Sequence, residues 1–131
     1  MSRSGYSEDG DECSYAMWRG AVASAIRGRR GQALLREMLA ALDAMPDKRL
    51  IAEELEQDGC VCALGAVGRA RGLDMASLDP EDSDTVAAEF GIAHALACEI
   101  LYMNDEYGPR KETPEERFIR MRKWVENKIH D

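Results

Sequence analysis

Two pairs of soft metal ligands are the first candidates for chemistry. Cys60 and Cys62 stand two positions apart, and His94 and Cys98 four apart, so the second pair shares one face of any helix that carries it. Four such side chains meeting in space would hold zinc. Cys-x-Cys is not a zinc-knuckle spacing, however, and the apolar residues around these cysteines suit buried free thiols, so no metal or other cofactor is expected. For acid–base or nucleophilic work the chain has two histidines, His94 and the next-to-last His130, and no Ser or Cys with a base close in sequence. Gly65, Gly68 and Gly72 lack the Lys-Ser/Thr ending and the preceding strand of a phosphate loop. Glu53–Glu54 and Glu115–Glu116 read as solvated helix surface, and no catalytic residue is expected.

Charge offers a different chemistry. Residues 1–36 carry six Arg against four acids (+2), residues 37–109 four basic side chains against sixteen acids (−12), and residues 110–131 seven against five (+2), summing to the net −8. An acidic middle disfavours broad nucleic-acid binding and suits docking on a basic protein surface. Glu53, Glu54, Glu56, Asp58, Asp79, Glu81 and Asp82 are the candidate partner-binding acids. Arg19, Arg27, Arg29 and Arg30, with Arg36, Tyr15 and Trp18 near, could hold phosphate or a partner's carboxylates. The plainer role for these arginines is to neutralise the acidic middle of the same molecule.

A third candidate is a helix-turn-helix over 85–100. Ala87 and Gly91 are four apart, Ile92 follows as the apolar plug, and Ile100 is the later core position. The second helix would then offer His94, Ala95, Leu96, Ala97, Cys98 and Glu99, which is poor in donors for base edges.

The elements that must position these groups are helical. Residues 1–13 read as a flexible leader and 14–131 as one domain. Ser14 caps a helix to Arg27 on which Met17, Ala21 and Ala25 recur, and Gly28–Gly31 turns the chain. A stripe of Leu34, Leu35, Met38, Leu39 and Leu42 marks a helix over 32–45, ended by Pro46. Lys48 to Gln57 continues a helical period up to Gly59. The small, apolar stretch 60–72 reads as a buried central helix with its glycines on one smooth side, the alternative being a short strand at Cys60–Leu64. Asp79-Pro80 starts the next helix, Gly91 interrupts it, Ile92–Met103 continues, and 104–108 loops. Thr113-Pro114-Glu115-Glu116 is a capping box, followed by Phe118, Met121, Val125 and Ile129 at helical spacing, with Arg117, Arg120, Lys123 and Lys128 outward.

The expected fold is therefore all-α, a single bundle of five to seven helices. Its core would hold Met17, Leu35, Leu39, Leu42, Leu64, Val67, Ile92, Leu96, Ile100, Phe118, Met121 and Val125. A chain of 131 residues that is 45% hydrophobic can close such a core. The sequence holds no apolar run long enough to span a membrane, and its polar opening is unlike a signal peptide. Four cysteines are too few for a disulfide scaffold, so reduced thiols in a cytoplasm are expected.

The segments Trp18-Arg-Gly-Ala-Val-Ala-Ser-Ala, Arg30 to Ala44, Cys62 to Gly72 and Tyr102-Met-Asn-Asp-Glu resemble small proteins of unknown function encoded in bacteriophages and prophages, over about Gly5 to Trp124. The resemblance implies phage origin, expression in a bacterial cytoplasm, and an accessory protein that binds a host or phage protein, such as a CRISPR or other defence component. It carries no site residues. A non-enzymatic protein-binding role is the leading expectation, a homodimer is compatible with it, and no membrane partner is expected. The alternative is a nucleic-acid-binding regulator using residues 85–100 or the Arg cluster; a virion component is a third class.

Overall fold

A computed structural model describes residues 2–6 and 12–130. The chain folds as α1 (Glu12–Arg27), α2 (Arg29–Ala44), a hairpin of β1 (Glu56–Gln57) and β2 (Cys60–Val61), α3 (Ala63–Arg71), a 3-10 turn at Met75–Ser77, α4 (Ser83–Phe90), α5 (His94–Asp105) and α6 (Pro114–Lys128). This is the expected all-α bundle, with a hairpin added. α5 runs through the middle and touches α1, α3, α4 and α6, while α2 packs on α3 and α6. One core joins Leu34, Leu35, Met38 and Leu42 to Leu64, Val67, Leu96, Ile100, Leu101, Met121 and Val125. Ile92 and Phe118 are buried in it as expected, and Leu39 packs at its edge.

Several boundaries differ from the sequence reading. α1 begins at Glu12, so Ser14 lies inside it rather than capping it. Its buried face is Val22 and Ile26, one residue round from the expected stripe, and Met17 is 72% exposed. Small residues on several faces of α1 left the direction of its apolar stripe weakly marked. The turn to α2 is Gly28 alone, and Gly31 sits within α2, where a Cβ would stand 1.9 Å from the Ala25 carbonyl oxygen. That close approach sets the tight α1–α2 corner.

Residues 48–57 form no helix. The Leu50 N–H donates to the Pro114 carbonyl and the Ile51 N–H to the Val61 carbonyl, so tertiary bonds take the groups a helix would use. Asp58 and Gly59 then both adopt positive φ and turn the chain between β1 and β2, paired antiparallel as Glu56 with Val61 and Gln57 with Cys60. The stretch 60–72 satisfies both earlier readings in part, with a strand at Cys60–Val61 and a buried helix from Ala63. Gly65 and Gly68 do form the smooth side, against Leu55 and Met75, but Gly72 is the left-handed C-cap. Asp82, not Asp79, caps the next helix. The α6 capping box is present with both reciprocal bonds.

Candidate functional site

The C-terminal turn of α5 organises a polar cluster in an otherwise apolar bundle. Asn104 is buried; its Oδ1 accepts the Ala63 N–H at 3.1 Å, and its Nδ2 donates to the Ile51 carbonyl at 2.9 Å and to Asp105 Oδ1 at 2.8 Å. Asp105 also accepts Arg3 Nε at 2.5 Å, Arg3 Nη2 at 2.8 Å and the Glu53 N–H at 3.1 Å. Arg3 is 3% exposed. Burial alone would weaken its charge, but Cys62 and Asp105 beside it hold the guanidinium above its ordinary pKa. The hydroxyls of Ser2 and Ser4 both donate to Glu106 at 2.6 Å. Of the expected leader, residues 2–6 thus lie against α5; residues 1 and 7–11 fall outside the described residues.

Over this floor opens a cavity of about 340 Å³ lined by Arg3, Glu53, Glu54, Asp79, Pro80 and Glu81. Four of the seven candidate acids therefore meet, from segments far apart in sequence. Glu53 is held at positive φ and fixed by its backbone bond to Asp105, and Asp79 turns the opposite wall by accepting the Glu81 N–H at 2.9 Å. None of the four carboxylates has an ion pair among the described residues, and Arg3 is already committed to Asp105. The other three acids are employed elsewhere. Glu56 pairs with Arg69 at 3.2 Å, Asp58 shapes the hairpin turn, and Asp82 caps α4 by accepting the Thr85 N–H. The Thr85 hydroxyl and N–H hold the Asp82 carboxyl below its ordinary range. Arg3 was invisible in the sequence as a site residue, because its partner lies about a hundred positions away.

The soft ligands separate. Cys62 Sγ accepts the Gly65 N–H as the α3 N-cap, and Cys60 lines a small pocket with Arg49 and Arg69. His94 and Cys98 do meet, with Sγ 3.3 Å from Nε2, alongside Ser83 Oγ at 2.8 Å and Asp84 at 3.6 Å. Burial pushes the Cys98 thiol up, away from the reactive thiolate. Among the described residues no three His, Cys, Asp or Glu side chains gather to hold a metal ion.

The arginines also divide. Arg19 makes a bidentate pair with buried Glu99 at 2.7 and 2.9 Å, and Glu99 further accepts the Tyr6 hydroxyl, whose pKa burial raises. Arg36 donates to the His130 carbonyl. Arg27, Arg29 and Arg30 are exposed and lie beyond ion-pair distance of every described carboxylate, whereas Arg19 does pair with an acid of the middle region. Arg117 and Arg120 turn inward rather than outward, onto Glu112 and the carbonyls of Leu50, Met103 and Asn104.

α4 and α5 meet at 107° around left-handed Gly91, the geometry of a helix-turn-helix corner. Residues Ala95 to Leu101 are all buried, however, so α5 presents no face to a DNA groove. No single helix among the described residues is long and apolar enough to cross a membrane. Neither a protein-family model, nor a curated protein, nor a solved structure matches the chain.

Proposed function

We propose that this is a binding protein which takes a basic segment of a partner protein into the acidic cavity at the α5 C-terminus. The observation that carries this reading is the convergence of Glu53, Glu54, Asp79 and Glu81 around one concave site in which they make no ion pair among the described residues, the lining Arg3 being paired with Asp105. Four carboxylates lining one cavity complement the charge of a guanidinium or ammonium group entering it. The floor beneath ties Arg3, Asp105, Asn104 and the Glu53 backbone together, although Arg3 Nη1 is buried there without a hydrogen-bond partner among the described residues.

The resemblance to phage and prophage proteins supports a setting in a bacterial cytoplasm, and a host factor such as a CRISPR or other defence component as the partner. Affinity capture from a bacterial host lysate, read by mass spectrometry, compares the wild type with the Glu54→Gln/Glu81→Gln variant. A partner retained by the first and lost by the second, at unchanged melting temperature, is the expected result. Equal retention by both removes the cavity from the binding site.

A further inference from the structure

We propose that the opposite end of the bundle, where α1 passes into α2, is a contact surface for the phosphate backbone of a nucleic acid. Three elements build it. Gln32 is the organiser: its Nε2 donates to the Ile26 carbonyl of α1 at 2.8 Å and to the Lys128 carbonyl of α6 at 2.9 Å, and its Oε1 accepts the His130 N–H at 2.7 Å. That clamp brings Arg27, Arg29, Arg30 and Lys128 to one corner.

Arg3, Arg19, Arg49, Arg69, Arg71, Arg117, Arg120 and Arg122 have carboxylate partners. These four cations have none among the described residues, and unlike Arg36, Lys48, Arg110, Lys111 and Lys123, which also lack one, they gather at a single corner. Helix stability accounts for Arg27 and Lys128, which sit in the last turns of α1 and α6, but not for Arg29 and Arg30. Arg29 and Arg30 occupy the first turn of α2, where the helix dipole opposes positive charge, and no acidic residue is there to compensate. Charges that work against their own helix and answer no internal acid are available to an external anion.

Phosphate fits better than an acidic protein. Guanidinium groups fork onto phosphate oxygens. A protein interface would also want large apolar side chains at its centre, and the exposed ones (Tyr15, Met17, Tyr107 and Ile119) all lie outside residues 24–33 and 126–130. The contact would be independent of sequence, since α5 is buried and no base-reading element is present at this corner.

Fluorescence anisotropy with a labelled 20-base-pair duplex tests it, the full chain being titrated at 50 and 200 mM salt. With three arginine–phosphate contacts the affinity should fall about 40-fold between the two conditions, and the Arg29→Ala/Arg30→Ala variant should fall only about 3- to 4-fold. That variant should bind about tenfold or more weakly than wild type at 50 mM salt, with an unchanged circular-dichroism melt. The Glu54→Gln/Glu81→Gln variant should bind the duplex no less tightly than wild type, which separates this proposal from the acidic-cavity reading. No anisotropy change at 100 μM protein, or a change indifferent to the two arginines, overturns the proposal. So does Arg29/Arg30-dependent binding of a polyglutamate peptide with no binding of the duplex.

Discussion

α6 joins two ends of opposite character. At its N-terminal end, Arg117 and Arg120 are drawn inward by Glu112 and by carbonyls, Arg3 is locked on Asp105, and the carboxylates of Glu53, Glu54, Asp79 and Glu81 make no ion pair among the described residues. At its C-terminal end, about 22 Å away for a 15-residue helix, Glu126 is taken by Arg122, and Arg27, Arg29 and Arg30 have no ion pair among the described residues. The net charge of −8 is thus a poor description of the molecule. At one end buried or half-buried arginines are taken up by the fold while four carboxylates line a cavity; at the other three exposed arginines stand without an ion pair among the described residues.

The largest way to break that contrast is to attack the acid end from below. Asp105→Ala leaves Arg3 as an uncompensated charge whose side chain is 1% exposed, and urea unfolding should show a loss of about 3–5 kcal/mol. A loss under 1 kcal/mol would mean that the Arg3 strap is not part of the folded unit. Glu112→Gln should cost about 2 kcal/mol, since two arginines lose a charged acceptor. The Arg120 hydrogen bond, chiefly, holds Glu112 below its ordinary 4.5, so its contribution is complete above that value and fades as pH falls through its lower native one. The stability gap between wild type and variant should therefore narrow in acid, and a gap constant with pH contradicts the ion pair.

The smallest effects sharpen the contrast. Arg29→Ala/Arg30→Ala and Glu54→Gln/Glu81→Gln should each leave stability within about 0.5 kcal/mol of wild type, or raise it slightly by relieving like-charge repulsion. Thermal melts of the two variants check this. A marked drop in either would reassign those charges to the fold.

Legibility in the sequence followed the range of the interactions. The α6 start was readable because its cap is completed within four residues, Thr113 to Glu116. The hairpin was readable in principle from Asp58-Gly59, a turn signal overridden by an apparent helical period through Leu50, Ile51 and Leu55. Their backbone bonds instead go to Pro114, Val61 and Cys62, and Leu50 and Leu55 are buried, which no local pattern reveals. For the candidate site, charge counting found the acids but could not tell Glu54, which lines the cavity, from Glu56, which pairs with Arg69 of α3. Arg3 and Asp105 depend on a contact spanning nearly the whole chain.

The acidic cavity is tested most directly by titrating ¹⁵N-labelled protein with the peptide acetyl-(Arg)₄-amide at 100 mM salt. Saturable shifts at the backbone amides of Glu53, Glu54 and Glu81 and at Arg3 Nε–H, abolished in Glu54→Gln/Glu81→Gln, are the predicted outcome. Shifts scattered over all exposed acids, or none at millimolar peptide, contradict it.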